Sequence, residues 1–312
     1  MEENIENQNL SDYVVETRNL CKKYGPQMAV DNVNMHIKKG SIYGFVGENG
    51  SGKTTIIRLL MGLANPTGGS YSLYGVENNK REIYKIRNKI SAIVEAPSLV
   101  PSMTAKQNLM YACLYYGIKD ADKVIEESLH NVGLGDTGNK KVKNFSLGMR
   151  QRLGIAVLLL NKPDLMLLDE PMNGLDPSGV AELRDLIISL NQKGITFLIS
   201  SHILSELEKV ATHWGFLSHG KLLEEITATE LSEKNRSYIE VKYSNIPLLE
   251  QGLKNIGIKN YRVTPVSIQV SDKVTPIEII TKLAQIGVAV SDIQTVDTNV
   301  EQYYLSLIGG KE

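Results

Sequence analysis

The strongest chemical signal in this sequence is a glycine-rich stretch that ends in lysine and threonine. Residues 47–54 read Gly-Glu-Asn-Gly-Ser-Gly-Lys-Thr and fit the pattern G-x-x-x-x-G-K-[ST]. Glycines allow successive backbone N–H groups to converge on phosphate oxygens, and the start of a following helix adds positive potential. We expect Lys53 to reach the β- and γ-phosphates of a nucleotide and the Thr54 hydroxyl to bind Mg2+. The residues expected to hold the phosphates are Gly47, Asn49, Gly50, Ser51, Gly52, Lys53, Thr54 and Thr55.

Two adjacent acids further along the chain are candidates to complete the metal site. The apolar run Leu165–Leu168 is followed directly by Asp169 and Glu170. Two carboxylates are costly to bury without a cationic partner, so we expect both at the carboxyl end of a strand, beside the Mg2+ held by Thr54. There Asp169 would hold the metal directly or through water, and Glu170 would polarise the attacking water. Taken alone, such a pair is more often a solvated turn.

The regions around these motifs alternate short apolar strands with helical patterns. This alternation is typical of an α/β fold, in which helices pack on a mainly parallel sheet. A turn that joins a buried strand to a helix is also the context that a phosphate loop requires. The predicted strands span residues 42–46, 90–94, 165–168, 196–200 and 214–218, and a helix is predicted from residue 53 to about residue 61.

Two further helices carry clear end signals. Thr104 followed by Gln107 predicts a capping box, and Asp176 followed by Pro177 predicts a second helix start, with Gly194 just past that helix. Apolar residues then recur at helical spacing and predict buried faces. The residues predicted to be buried are Leu109, Ala112, Cys113 and Tyr116 in the first helix, and Val180, Leu183, Ile187 and Leu190 in the second.

The pattern changes after about Thr229, where the glycine-loop chemistry ends. We expect a nucleotide-binding domain over residues 13–228 and a small α+β accessory domain over residues 236–312. The predicted order of elements in the accessory domain is βαββαβ, which would suit a ferredoxin-like domain. The predicted strands are 237–243, about 261, about 268 and 288–296, and the predicted helices are about 247–256, 276–286 and from about 299 onward.

The overall composition excludes several classes of protein. The 312 residues carry 34 basic and 35 acidic side chains, which is too balanced for a surface that coats nucleic acid. The two cysteines, Cys21 and Cys113, exclude a disulfide framework and an all-cysteine zinc site. The acidic start Met1-Glu2-Glu3-Asn4 is unlike a secretory signal, and no apolar run reaches the ~18 residues of a membrane span. We therefore expect a soluble cytoplasmic protein.

One motif indicates which class of nucleotide hydrolase this is. Residues 145–152 read Phe-Ser-Leu-Gly-Met-Arg-Gln-Arg, which resembles the signature motif of ATP-binding cassette (ABC) ATPases, usually Leu-Ser-Gly-Gly-Gln. Ser146 and Gly148 are retained, whereas Leu147 and Met149 depart from the common form. Ser146 at the start of a helix over about 149–160 would make a second anion site. The resemblance implies that two subunits sandwich two ATP molecules head to tail, so that this site serves the nucleotide of the partner.

Other family elements appear in order over about residues 13–225. The resemblance assigns adenine stacking to Tyr24, an interface loop near the γ-phosphate to the stretch that ends at Asp176, and γ-phosphate sensing to His202 after Ser200 and Ser201. Read alone, Tyr24 would be packing and a single histidine would be structural. The resemblance implies a P-loop NTPase fold of the ABC cassette type, with a mixed sheet core, a small antiparallel β region and a helical subdomain. It gives the catalytic roles to Glu170, His202 and Lys53.

Glu95 is the informative departure from the family pattern. Most ABC ATPases have glutamine at this position, as a neutral contact to Mg2+ and water. A glutamate could ligate the metal, but it brings negative charge near the γ-phosphate. Together with the stretch 146–149, Glu95 resembles the bacitracin-resistance and lantibiotic self-protection branch. The alternative is that Glu95 is a functional substitute for glutamine and has no bearing on the substrate.

The resemblance implies an ATP-binding, Mg2+-dependent, ATP-hydrolysing subunit of an ABC exporter. We expect a homodimer or paired cassette that drives a separate integral-membrane permease from the inner face of the membrane, for export of a peptide antibiotic. The expected docking surface lies near Glu95 and the helical segment 104–116. The alternatives are export of another amphiphile, a soluble ABC ATPase that acts on ribosomes or nucleic acid, and an inactive regulatory cassette. The net charge of −1 argues against a nucleic-acid partner.

Overall fold

The computed structural model describes residues 12–234, 237–272, 274–296 and 299–309. The chain divides into two compact units, of which the first ends at Ala228 and the second begins at Thr229. The acidic start Met1–Asn4 lies outside the described residues, as do residues 236, 273, 297–298 and 310–312 of the predicted accessory domain. Among the described residues, no helix is long and apolar enough to cross a membrane.

The first unit contains two β-sheets and the helices that connect their strands. Its strands are β1 (Tyr13–Tyr24), β2 (Gln27–Val33), β3 (His36–Lys38), β4 (Ile42–Gly47), β5 (Gly68–Leu73), β6 (Val76–Glu77), β7 (Ile90–Ile93), β8 (Leu165–Asp169), β9 (Thr196–Ser201), β10 (His213–Ser218) and β11 (Lys221–Thr227). Its helices are α1 (Lys53–Leu60), α2 (Ile83–Arg87), α3 (Ala105–Tyr116), α4 (Ala121–Asn131), α5 (Leu147–Leu159), α6 (Pro177–Gln192) and α7 (Leu204–Leu207). Helix α8 (Ala228–Lys234) begins at the last residue of this unit.

The larger sheet brings residues that were predicted to bind phosphate and metal to one edge. Its strand order is β11-β10-β4-β9-β8-β7, and every pairing is parallel except that of β11 with β10. All six residues of β4 are buried, as expected for a continuous apolar strand at the centre of a parallel sheet. In the register, Ser200 of β9 lies between Phe45 of β4 and Asp169 of β8. The carboxyl ends of three strands therefore meet, and the predicted α/β fold with a mixed sheet is confirmed.

The smaller sheet is the antiparallel β region that the family resemblance implies. Strand β1 pairs antiparallel with β2, β3 and β5, and β6 continues the sheet beyond β5. A tight turn joins β1 to β2, because Tyr24 pairs with Gln27 at the end of the ladder. This turn places Tyr24 at the edge of the sheet.

Helices α3, α4 and α5 pack against one another in the first unit. The predicted capping box is confirmed: the Thr104 side chain accepts from Gln107 N at 3.2 Å, and the Gln107 side chain accepts from Thr104 N at 2.9 Å. Three of the four predicted core residues of α3 are buried, but the prediction for Tyr116 is wrong, since 39% of this residue is exposed. Tyr116 is the last residue of α3. Its ring packs edge-on against the ring of Tyr115, with 5.2 Å between the ring centroids, instead of entering the core.

The second unit is a four-stranded antiparallel sheet with helices. Its strands are β12 (Tyr238–Lys242), β13 (Tyr261–Val263), β14 (Ile268–Val270) and β15 (Asp292–Val296), and its other helices are α9 (Ile246–Asn255), α10 (Pro276–Gln285) and α11 (Val300–Gly309). The strand order is β13-β14-β12-β15. A separate apolar core is shared by the strands, α9 and α10, and it includes Ile239, Val241, Leu249, Leu253, Ile268, Val270, Ile279 and Leu283.

One boundary in this unit differs from the prediction. The last strand was expected to begin at residue 288, but β15 begins at Asp292. Val288 is buried like a strand residue, yet its N–H donates to Leu283 O at 3.0 Å, while Gly287 N donates to Ala284 O at 3.1 Å. These two bonds close the carboxyl end of α10 as a Schellman motif, so Val288 belongs to the helix cap.

We expect Thr275→Ala to loosen α10, because Thr275 forms a second capping box. Its side chain accepts from Glu278 N at 3.3 Å, and the Glu278 side chain accepts from Thr275 N at 2.9 Å. Loss of such a cap costs about 1 kcal/mol, so amide hydrogen exchange in α10 should be about fivefold faster. Thr281→Ala is the matched control, since Thr281 lies on the exposed face of α10 and its hydroxyl bonds back to Ile277 O. Equal exchange in both variants would contradict the role of the cap.

Candidate active site

The glycine-rich loop joins β4 to α1 in a conformation that its glycines permit. Gly50 and Gly52 have positive φ angles of 84° and 110°. A Cβ on Gly47 would collide with the Ser51 hydroxyl and with Leu217 O. Gly52 is the N-cap of α1 and supplies no side-chain hydrogen bond to it. The first N–H groups of the helix are therefore left for an anion, as the motif predicts.

Lys53 lies beneath this loop with its amine buried. Only 5% of its side chain is exposed, and Nζ donates to Gly47 O at 2.6 Å and to Glu48 O at 3.2 Å. Nζ also lies 3.4 Å from Glu170 Oε1. A buried ammonium needs such partners because its desolvation is costly. The arrangement keeps a positive charge next to the phosphate loop.

Asp169 is the point where α1, β8 and β9 are joined. Its Oδ2 accepts from the Thr54 hydroxyl at 2.7 Å, and its Oδ1 accepts from the Ser200 hydroxyl at 2.6 Å. Asp169 is 4% exposed, so both hydrogen bonds compensate the burial of its charge. Hydroxyl and carboxylate oxygens are the ligands that Mg2+ prefers.

The donor set fits a Mg2+ ion that is bound together with a nucleotide. Among the described residues there is no cluster of three or more His, Cys, Asp or Glu side chains that could enclose a metal alone. Mg2+ is commonly held by one or two protein oxygens together with water and substrate phosphates. Thr54 and Asp169 supply that number of oxygens beside the phosphate loop.

Glu170 and His202 form a second pair directly beside Asp169. Glu170 Oε2 lies 2.7 Å from His202 Nδ1 and accepts from His202 N at 3.2 Å. The backbone of Glu170 has a positive φ of 48°, and its N–H donates to both the hydroxyl and the carbonyl of Ser200. Glu170 Oε1 is buried without a hydrogen-bond partner. One carboxylate oxygen is therefore held by His202, while the other faces the Lys53 ammonium without a hydrogen bond.

Two cavities adjoin this cluster. One, of about 300 Å3, is lined by the phosphate loop together with Tyr24, Gln27 and Ala29. The Tyr24 ring has Lys22 Nζ over it at 4.8 Å from the ring centroid. The other cavity, of about 670 Å3, is lined by Thr54, Glu95, Asp169 and Glu170 among others. The structure thus brings Tyr24 to the phosphate loop and Glu95 to the two acids.

The carboxylate of Glu95 is paired with Arg58, a contact that the sequence did not suggest. Its Oε1 lies 2.5 Å from Arg58 Nη2 on α1. The Thr54 hydroxyl is bonded to Asp169, and Glu95 shares only the cavity lining with that pair.

Ser146, Gly148 and Asp176 lie at the starts of two neighbouring helices. Ser146 is the N-cap of α5 and accepts from Met149 N at 3.2 Å, so this helix begins at Leu147 rather than at about Met149. Asp176 is the N-cap of α6 and accepts from Gly179 N at 3.1 Å. The four predicted core residues of α6 are buried. Neither cavity is lined by Ser146, Gly148 or Asp176 among the described residues.

Sequence reasoning missed Ser200 as a site residue. Its hydroxyl donates to Asp169 and accepts from Glu170 N, so it holds both acids at once. The available signal was a polar pair, Ser200 and Ser201, at the carboxyl end of a strand next to the acidic strand. Gln151 was also missed: it is buried, its Oε1 has no hydrogen-bond partner, and it lines the larger cavity.

Comparisons with known proteins agree with this geometry. Residues 30–173 match the family model described as ABC transporter. The chain is 43% identical over 307 residues to the bacitracin transport ATP-binding protein BcrA of Bacillus licheniformis, covering 95% of this chain and 98% of that protein. It is 44% identical over 210 residues to the lantibiotic transport ATP-binding protein SrtF of Streptococcus pyogenes, covering 67% of this chain and 89% of that protein. Among solved structures, a dimeric post-hydrolysis state of the ATP-binding cassette MJ0796 with ADP and Pi matches 69% of this chain and 98% of that chain, with a TM-score of 0.61 and 28% identity.

We expect Ser200→Ala to weaken the response to Mg2+. Without the hydroxyl, the buried Asp169 carboxylate loses one of its two hydrogen bonds and the orientation that faces Thr54. Loss of a bond to a buried charged group costs about 1–3 kcal/mol, so the Mg2+ concentration for half-maximal ATP hydrolysis should rise about tenfold. ATP binding measured in EDTA should change little.

Ser201→Ala is the matched control for this experiment. Its hydroxyl accepts from Ile203 N at 2.9 Å and donates to Ile203 O at 3.5 Å, so it bonds to the chain after His202 and not to either acid. An equal rise in the Mg2+ requirement for both serine variants would remove Ser200 from the site.

Proposed function

This chain belongs to the ABC transporter family as an ATP-binding and ATP-hydrolysing subunit, and we propose that it powers a separate permease that exports a peptide antibiotic of the bacitracin or lantibiotic type. The observation that carries the proposal is the extent of the similarity to the bacitracin transport subunit, which runs through both units of the chain. Glu95 and the stretch 146–149 support the same branch of the family.

The proposed cycle begins when Lys53 exchanges partners. In the structure, the Lys53 amine contacts two loop carbonyls and Glu170. The phosphate oxygens of ATP are stronger acceptors, so Lys53 is proposed to bind the β- and γ-phosphates, with the remaining loop residues donating N–H groups. Tyr24 would stack on the adenine from the edge of the same cavity. This exchange leaves Glu170 Oε1 without its cation.

Glu170 is then proposed to act as the general base. Once Lys53 has turned to the phosphates, Oε1 is an acceptor without a partner, and the contacts from His202 hold the other oxygen. A water placed at Oε1 would then be oriented and could give up a proton. His202 is proposed to position Glu170 and to sense the γ-phosphate. Thr54 and Asp169 are proposed to hold Mg2+, which when bound would neutralise charge on the phosphate oxygens.

A second copy of the chain is proposed to complete the site. Ser146 and Gly148 at the start of α5, and Asp176 at the start of α6, are absent from the described cavity lining around Lys53. The N-terminus of α5 is suited to bind an anion. A head-to-tail homodimer would place this end on the ATP of the partner, as the dimeric assembly of the similar cassette supports. ATP would then join two subunits, and hydrolysis would release them.

The permease is proposed to dock beside Glu95 and α3, which would place the subunit at the inner face of the membrane. Helix α3 carries apolar and aromatic side chains that are exposed to solvent: Tyr111, Leu114 and Tyr115, at 63%, 74% and 81%. Large exposed apolar side chains of this kind commonly mark protein interfaces. A permease segment that contacted both α3 and Glu95 would link nucleotide state to the permease.

We also propose that residues 13–228 are the nucleotide-binding domain and that residues 236–312 are an accessory domain. In the second unit, the segments β12-α9-β13 and β14-α10-β15 each contribute two strands to the antiparallel sheet. The resulting strand order, β13-β14-β12-β15, supports a ferredoxin-like domain. Its own apolar core supports independent folding.

Glu170→Gln should trap an ATP-bound dimer. The amide keeps the shape of the side chain but cannot accept the proton from water, so hydrolysis should fall at least about a hundredfold while ATP stays bound. Size-exclusion chromatography with light scattering should then report twice the chain mass of 34.5 kDa in ATP and the single mass without it. Glu127→Gln, on the exposed face of α4, is the control and should hydrolyse ATP normally.

The double variant Lys53→Ala/Glu170→Gln should stay monomeric in ATP, since it lacks the phosphate contact. A Glu170→Gln protein that remains a single copy in ATP would refute the proposed sandwich.

Cells that lack this subunit should become more sensitive to peptide antibiotics. We expect the inhibitory concentration of bacitracin or of a lantibiotic to fall several-fold when the gene is deleted. The wild-type chain should restore it and the Glu170→Gln chain should not, because export requires hydrolysis. Sensitivity to an unrelated amphiphile such as an anthracycline is measured in parallel. A change for that compound alone would replace the proposed cargo, whereas the ATPase assignment would stand.

A further inference from the structure

The charge of Glu95 is compensated from the helix that carries the phosphate-binding residues. Glu95 Oε1 lies 2.5 Å from Arg58 Nη2, with 71% of the Glu95 side chain and 42% of the Arg58 side chain exposed. Arg58 follows Thr54 by four residues on α1, so both side chains project from one face of the helix. The Arg58 guanidinium is therefore one helical turn from the hydroxyl that is proposed to hold Mg2+.

Glu95 adopts an unusual backbone conformation that its side-chain partner can help to hold. Its φ is +67°, and Ala96 N donates to Val94 O at 2.9 Å, which closes a three-residue turn around Glu95. A non-glycine residue in such a turn is strained, and it persists only when surrounding contacts hold it. The ion pair with Arg58 is one of those contacts.

The charge of Glu95 affects the electrostatics of the larger cavity, because other carboxylates line the same cavity. Three carboxylates line the larger cavity: Glu95, Asp169 and Glu170. Lys143 and Arg150 line it as well, and the Arg150 guanidinium donates to Phe145 O. A triphosphate that enters beside these acids meets repulsion from each unpaired carboxylate, and a divalent cation would be attracted by the same groups.

We propose that Arg58 is a positioning residue that neutralises Glu95 and thereby sets how strongly nucleotide binding depends on Mg2+. The inference rests on the proposed nucleotide site. With Arg58 present, Glu95 is turned towards α1 and adds little net charge to the cavity. Without Arg58, Glu95 repels a metal-free triphosphate and becomes an additional carboxylate ligand for Mg2+. Metal-free nucleotide then binds more weakly, and Mg2+ restores more of the affinity.

The test is the ratio of two dissociation constants for a non-hydrolysable ATP analogue, one in EDTA and one in excess Mg2+, measured by calorimetry. Arg58→Met should raise this ratio about fivefold, as expected for the loss of one exposed ion pair. Arg58→Lys keeps the positive charge and should leave the ratio near that of the wild type. Thermal unfolding of each variant reports whether the fold is intact.

Two further variants separate Glu95 from a general charge effect. In the Glu95→Gln background, Arg58→Met should leave the ratio unchanged, because there is no carboxylate to compensate. Arg81→Met removes an exposed positive charge before α2 and should also leave it unchanged. An unchanged ratio in Arg58→Met, or an equal change in the Glu95→Gln background, would overturn the role of Arg58. A wild-type chain that binds no nucleotide would instead overturn the proposed function.

Discussion

The buried carboxylate of Asp169 is the constraint on which the site depends. Its two oxygens are held by the hydroxyls of Thr54 and Ser200, which come from a helix and a strand that flank β8. Because a buried charge is costly without such partners, these bonds fix the distance between the phosphate loop and the acidic strand. The parallel pairing of β8 with β9 makes this possible, since it brings the carboxyl ends of both strands to one edge of the sheet.

Around that fixed point, the charged groups form pairs that a nucleotide can rearrange. Lys53 is close to Glu170, Glu170 is bonded to His202, and Arg58 is paired with Glu95. Two of these pairs, Lys53 with Glu170 and Arg58 with Glu95, join opposite charges. In the proposed function, a triphosphate would compete with Glu170 for Lys53, whereas Arg58 would stay paired with Glu95. Nucleotide binding would thus prepare Glu170 as a base.

The arrangement also explains why one copy of the chain is proposed to be incomplete. The start of α5 has the geometry of an anion site, but Ser146 does not line the described cavity that contains Lys53. A subunit whose two anion sites bind different nucleotides can associate with a second subunit when the γ-phosphate is present. Such association is a rigid motion that a permease can follow.

Local patterns along the chain were sufficient for the phosphate loop, the helix caps at Thr104 and Asp176, and the buried strands, because each depends on residues close in sequence. The partner of Glu95, the role of Ser200, the exposure of Tyr116 and the cap at Val288 were decided by the folded chain. Arg58 and Glu95 are 37 residues apart, and Ser200 and Asp169 are 31 apart. Which side chains meet across such separations is set by strand order and helix packing, and no local pattern records it.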